Sequence, residues 1–255
     1  MIMGLPISVH LRGPESAEPG AAANVAHAFD ALREADHMFS PYRADSVLCR
    51  VARGEIDRTA SPSDFRAVLA LAQHAHDKTA GAFDVHASGR LDPSGVVKGW
   101  AAERASWLLP ADSYLNAGGN LAIRTRAEPW RIGIEHPADP TDLLTVLSVR
   151  NGGVATSGSV HRGPHILDPT TGAAASGIRQ ATVVGRSLTW ADIWATAIVA
   201  AGNRALDPAA ALITRCVGDG YDALVVSDDG RTWITAGFGA HIAPDVPTPP
   251  RRLLG

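Results

Sequence analysis

Residues 155–172 read ATSGSVHRGPHILDPTTG. Pro164 and Pro169, with Gly158, Gly163 and Gly172, interrupt both helix and sheet, so the segment is no ordinary helix or core strand. Its Ser and Thr hydroxyls, His161, His165, Arg162 and Asp168 make it too polar for a plain turn. It reads as a loop, a short strand around Ile166-Leu167 and another loop. That arrangement would set a cation, an imidazole and a carboxylate around something phosphate-like.

The chain before this stretch is strand-rich. Candidate strands are 114–117, 121–125, 130–134, 143–149 and 154–157, separated by Gly, Asn and Pro signals. After it come a strand at 181–187, a helix over 191–202 (ADIWATAIVAAG) and a helix over 208–217. A hairpin of 222–227 with 231–235 follows, turning at Asp228-Asp229-Gly230. Further upstream, residues 3–12 alternate as an opening strand. Val25, Phe29, Leu32 and Phe39 recur at helical spacing and predict a helix over about 21–38. Ser61-Pro62-Ser63-Asp64 starts a second helix, with Phe65, Val68, Leu69 and Ala72 on its buried face. A third runs from about Gly99 to Leu109 and closes at Pro110. Helices, then strands, then helix and hairpin point to an α+β (mixed α/β) domain, not a doubly wound sheet. No repeat or linker divides 1–255, and a Pro-rich tail from about 243 is expected to be loose.

The 255 residues are 45% hydrophobic and 19% charged, as in soluble globular proteins. A formal net charge of -3 gives no basic field for nucleic acid. Cys49 and Cys216 lie far apart and outside any CxxC, so both read as buried thiols. No run of about 18 apolar residues predicts a membrane span. The opening MIMGLPISVHLRG lacks a basic segment leading into an apolar one. The chain as given reads as cytoplasmic, or extracytoplasmic if a leader has been removed.

Four more polar clusters stand out: Ser40-Pro41-Tyr42-Arg43, Gly81-Ala82-Phe83-Asp84, residues 92–99 (DPSGVVKG) and Asn116-Ala117-Gly118-Gly119-Asn120. Lys98, near a helix start, is either a solvated surface lysine or a phosphate contact, since an anion at that end would suit both cation and dipole. Asp192 and Thr196, i and i+4, share a helix face. Asp192 in the first turn could simply cap the helix. Alternatively the pair could hold a hard cation such as Mg²⁺. His165 could equally be a satisfied core histidine. Walker, HExxH and GxSxG spacings are absent.

In order, these clusters resemble the FAD:protein FMN transferases, the ApbE family, over residues 3 to about 237. The matching segments are SPYRADSVLCRV (40–51), GAFD (81–84), DPSGVVKG (92–99), LNAGGN (115–120), WRIGIEHP (130–137), ATSG with HILDPTTG (155–172) and ADIWAT (191–196). The resemblance implies a single ApbE-like domain with central, largely antiparallel sheets flanked by helices. It implies that FAD is held by Met3 of the first strand, Tyr42, Ala82, Phe83, Asp84, Asp92, Lys98 and Ile166. Mg²⁺ would be bound by the Gly95 carbonyl, Asp192 and Thr196. His165, oriented by Asp168, would take a proton from the acceptor. The implied activity is transfer of FMN from FAD to a Thr of an acceptor protein, releasing AMP. An FAD pyrophosphatase and a non-catalytic FAD-binding protein are the alternatives. The chain departs from the family pattern at Leu5, at Pro93-Ser94, at Gly95 and at Ser159-Val160.

Overall fold

The computed structural model describes residues 1–160, 163, 165–247 and 252–254. Its centre is an eight-stranded sheet made of β1 (Ile7–Leu11), β2 (Ser113–Ala117), β3 (Asn120–Arg124), β6 (Gly152–Gly158), β7 (Ile178–Gly185), β8 (Tyr221–Ser227), β9 (Thr232–Thr235) and β10 (Arg252–Leu254). They lie side by side in that order. Neighbours are antiparallel except β9 and β10, which run parallel. A separate long hairpin, β4 (Trp130–His136) with β5 (Asp139–Val149), forms the second sheet.

The central strands face two cores, and their sequence shows why. Residues alternate between faces with period two. On β7, Ala181 and Val183 enter one core and Val184 the other; on β8, Ala223 and Val225 go one way, Leu224 and Val226 the other. The first core is covered by helices. α1 (Pro19–Phe39) and α3 (Ser63–Lys78) pack on α4 (Ser94–Ser106). α4 packs on α5 (Leu188–Ala201), which lies on β6 and β7. The second core is closed by the β4–β5 hairpin through Ile132, Ile134, Leu147 and Val149. The fold is thus the expected mixed α/β with a largely antiparallel sheet, but its helical layer covers one face and a hairpin the other.

Several expectations shift in detail. A short helix α2 (Val47–Ala52) follows the Ser40–Asp45 loop, capped by Ser46, whose Oγ accepts the Cys49 N–H at 3.1 Å. α4 begins at Ser94, not near Gly99, so Gly95 and Lys98 lie inside it. α5 begins at Leu188 with Ser187 as its cap, so Asp192 lies beyond the first turn and does not cap the helix. The expected helix 208–217 is broken at Ala211, whose φ of 54° is left-handed; α6 is Leu212–Gly218. No strand forms around Ile166-Leu167, only a bridge from Leu167 to Ala174. Met3 precedes β1, in a turn closed by Ile2 and Leu5, with its N–H on Asp36 Oδ1 at 3.1 Å. Of the tail from about 243, Arg252–Leu254 pairs with β9, and Leu254 packs against the helix-side core. Cys216 is buried, which pushes its thiol pKa up, whereas Cys49 is only half-buried. Among the described residues no helix is long and apolar enough to cross a membrane.

Candidate active site

The crossing of α4 over α5 sets the centre of the site. Gly99 permits it: a Cβ there would lie 2.9 Å from Asp192 Cβ and 3.1 Å from Thr189 Cα. With no side chain in the way, the Gly99 N–H donates to Asp192 Oδ2 at 3.1 Å. In a regular helix that N–H serves the Gly95 carbonyl. Asp192 is wholly buried. Its Oδ1 accepts no hydrogen bond and lies 3.5 Å from the Lys98 ammonium. Thr196, one turn along α5, pairs its hydroxyl with Ser157 Oγ at 3.1 Å. A buried carboxylate oxygen that accepts no hydrogen bond is costly to keep, so this atom is a candidate ligand-holding group. Carboxylate, hydroxyl and carbonyl oxygens together form a donor set for a hard cation. Among the described residues no three His, Cys, Asp or Glu gather as a metal cluster would.

Glu103 fixes the height of α5 against α4. Its carboxylate accepts from Ser187 Oγ at 2.8 Å, from the Leu188 N–H at 3.2 Å, from the Thr189 N–H at 3.1 Å and from the Thr189 hydroxyl. It satisfies the first two open N–H groups of α5 and sits where the helix dipole favours negative charge.

Beside the crossing opens a solvent-accessible cleft. Nine of the expected site residues border it: Ala82, Phe83, Asp84, Asp92, Gly95, Lys98, His165, Ile166 and Thr196. Residues 79–92 reach it as an irregular segment and not as a strand. The Phe83 N–H donates to Thr79 Oγ1 at 2.9 Å and the Asp92 N–H to the Val85 carbonyl at 2.8 Å. Asp92 Oδ1 in turn accepts the Ser94 N–H at 3.0 Å, starting α4. Asp192 lies behind Lys98 and does not line the cleft.

Three expected residues are placed otherwise. Tyr42 is 95% exposed on the loop after α1 and Met3 lies in its turn; neither borders the cleft. Asp168 does not border it either. Its two oxygens are forked by Arg204 at 2.7 and 2.8 Å, and Oδ1 also accepts the Thr170 N–H and hydroxyl. Those bonds, Arg204 first, hold its carboxyl well below the usual carboxylate range. Asp168 therefore ties its loop to the end of α5, and the role of orienting His165 directly is not what its bonds serve. The exposed His165 ring has Nδ1 3.0 Å from the Gly163 carbonyl. The expected cation at Arg162 lies outside the described residues, as do His161 and Pro164.

Ser157, Glu103 and Arg204 are the supporting residues that motif reading did not assign. Ser157 sits within the quoted ATSG, so its signal was present. Glu103 and Arg204 act across 84 to 86 and 36 residues of sequence, respectively, and leave no local trace.

The geometry can be set beside known proteins. The model of the ApbE family matches residues 3–89 and 85–216. A FAD:protein FMN transferase of Salmonella typhimurium is 27% identical over 175 residues, covering 61% of this chain. That match spans 48% of the relative's own length. An ApbE protein of Thermotoga maritima superposes with a TM-score of 0.83 at 19% identity, covering 95% of this chain and 97% of that one. The flavin transferase ApbE of Vibrio cholerae superposes with a TM-score of 0.80 at 20% identity, covering 94% and 97%. At such identities the two structures speak for the fold, and the family match speaks for descent. With most of the chain matched to the family model, this protein belongs to the ApbE family.

Proposed function

We propose that this protein transfers FMN from FAD to a Thr hydroxyl of an acceptor protein, with Mg²⁺ bound, and releases AMP. One observation carries the reading: Lys98, Thr196 and His165 gather at a cleft whose other residues include Ala82, Phe83, Asp84 and Asp92, with Asp192 Oδ1, which accepts no hydrogen bond, 3.5 Å behind the Lys98 ammonium. The name of the Salmonella relative supports it.

The residues present fit the metal. Asp192 Oδ1, the Thr196 hydroxyl and the Gly95 carbonyl are hard oxygen donors, and Mg²⁺ takes its remaining ligands from water and substrate phosphate. When bound, it would supply positive charge to the pyrophosphate. Lys98 adds a fixed cation to the same oxygens. Phe83, buried to 3% exposure, and Ile166 give the cleft apolar wall for the ring systems of FAD. His165, whose Nδ1 lies 3.0 Å from the Gly163 carbonyl, borders the cleft as the candidate general base for an attacking hydroxyl.

The test is incubation with FAD, Mg²⁺ and candidate acceptor domains, read by intact mass and AMP release. The expected result is an FMN adduct with equimolar AMP, both lost with EDTA. FAD binding without adduct or AMP on any acceptor would sink the reading and leave a flavin carrier.

A second reading, FAD pyrophosphatase, is favoured by the exposure of His165 in an open cleft, where water can replace the acceptor. AMP and free FMN in the absence of acceptor would mark it.

A further inference from the structure

The row of β6 that faces α5 is Gly153, Ala155 and Ser157, alternate residues of the strand. Ser157 is the one polar side chain in that row, and it is buried. Gly153 lies against Leu188, the first residue of α5, and Ser157 meets Thr196 further along the same helix. The two contacts are ~13 Å apart along the strand and ~12 Å apart along the helix, from the rise per residue of each. Strand and helix therefore keep step. Seating α5 on the bare backbone at Gly153 brings the Thr196 hydroxyl to the Ser157 hydroxyl, 3.1 Å away.

A hydroxyl has one proton and two lone pairs. Geometry alone lets either residue supply the proton of the shared bond. The two choices differ at the cleft, which Thr196 borders. If Ser157 donates, one lone pair of Thr196 is used and the Thr196 proton is turned elsewhere. If Thr196 donates, its proton is held in the buried pair and both its lone pairs stay open. Thr196 lies one helical turn from Asp192, whose buried Oδ1 accepts no hydrogen bond. Beside such a carboxylate oxygen the second arrangement is the one that suits a hard cation.

We infer that Ser157 is a positioning residue for the divalent cation: it accepts the Thr196 O–H and so keeps the lone pairs of that oxygen open as a ligand. The inference rests on the metal part of the FMN-transfer reading. Ser157 acts through Thr196 and is no ligand itself. Loss of such an outer partner lowers metal affinity about 10–100-fold.

A double-mutant cycle tests it, with Mn²⁺ as the probe because electron paramagnetic resonance counts the free ion. The whole protein is titrated without and with FAD, as wild type, Ser157→Ala, Thr196→Val and the double variant. Denaturant melts report folding. Ser157→Ala is expected to weaken Mn²⁺ binding about tenfold. Thr196→Val should weaken it at least as much. Adding Ser157→Ala to Thr196→Val should then change it less than about twofold, since the residue through which Ser157 acts is gone. If Ser157→Ala does not fold, Ser157→Cys takes its place, because sulfur is only a weak acceptor. If Thr196→Val binds no Mn²⁺, the order wild type, Ser157→Cys, Ser157→Ala is expected, and equal affinity in all three overturns the inference. Unchanged affinity in a folded Ser157→Ala overturns it as well. So does a full loss repeated in the Thr196→Val background, or a loss in Ser157→Ala with none in Thr196→Val. A wild-type protein that binds no Mn²⁺, with or without FAD, removes the metal from the reading beneath, and the inference with it.

Discussion

Asp192 and His165 flank the same lysine-bearing end of the site but are held in opposite ways. Asp192 sits at 0% exposure in a helix crossing whose closeness is set by main chain against main chain at Gly99. His165 stands exposed on a segment whose regular pairing is one bridge, Leu167 to Ala174, and which an ion pair from Arg204 to Asp168 ties down. A group that must stay desolvated belongs in the first kind of support, because burial keeps its charge strong. A group that must meet a changing partner belongs in the second, where a few side-chain bonds set its position and solvent can reach it. The two supports should therefore respond differently to substitution.

The largest expected effect breaks the crossing's chemistry without breaking its packing. Asp192→Asn keeps an oxygen for the Gly99 N–H but removes the charge. Loss of one charged contact at the site should lower AMP release about 10²–10³-fold, while thermal unfolding moves by about 1 kcal/mol or less. Activity within a few-fold of wild type would remove Asp192 from the site.

Next comes the packing itself. Gly99→Ala places a methyl against Asp192 Cβ and Thr189 Cα. Overpacking of about 1–3 kcal/mol opposes the roughly 1 kcal/mol that alanine adds to a helix, so a net loss in stability is expected by denaturant melts. Gly163→Ala is the matching change in the loop. Among the described residues nothing lies within 4 Å of its added Cβ, and the positive φ of 65° opposes it. Its cost should be about 1 kcal/mol. A folded Gly99→Ala that releases AMP as fast as Gly163→Ala would erase this contrast, since the methyl at 99 presses on Asp192 Cβ.

A smaller effect is expected at the tie. Arg204 is half-exposed, so Arg204→Ala should cost about 1 kcal/mol of global stability or less. It should instead increase protease cutting within 159–175 and lower kcat about tenfold, with Arg204→Lys restoring part of it because lysine lacks the fork. A fall in melting temperature without loop cutting would make the pair merely structural.

The smallest effect is on acid sensitivity. The carboxyl of Asp168 is depressed, chiefly by Arg204, so its contribution is complete above the ordinary carboxylate value of about 4 and is lost as pH falls through the depressed one. Loop protection from hydrogen exchange should hold at pH 5 and weaken only well below 4, with the onset moved upward in Arg204→Ala. Weakening that begins near neutral pH would implicate another group.

The legible parts of the fold were those written locally. Period-two alternation marked β4, and Asp228-Asp229-Gly230 marked the β8–β9 turn, where Gly230 has a φ of 81°. Asn116-Ala117-Gly118-Gly119-Asn120 read as a turn because both glycines are left-handed there, with the Gly119 N–H on Asn116 Oδ1 at 2.8 Å. The same residue type misled at Gly95 and Gly99. Glycine in a helix normally signals a loop, and only the partner helix reveals that it is making room. Asp192 was placed in a first turn because Ser187, the true cap, lies outside the apolar run that defined the helix. Lys98, Thr196 and His165 stood out by their own chemistry, but the nine cleft residues were legible as one site only through the family pattern, since their sequence separations carry no periodic signal. The link from Asp168 to Arg204 spans 36 residues, from an irregular loop to a short 3-10 turn after α5, so no local pattern could disclose it.

Gly153 of β6 has a bearing on how this family can diverge. A Cβ there would fall 2.2 Å from Leu188 Cα, so α5 is seated directly on the backbone of the sheet at its first residue, as it is seated on α4 at Gly99. Geometry fixed by missing side chains needs no matched pairs of residues to persist. Such a scaffold can lose most of its sequence identity and still deliver a carboxylate and a hydroxyl to the same place. A saturation scan should accordingly find positions 99 and 153 nearly closed to replacement, while the apolar residues around them exchange freely.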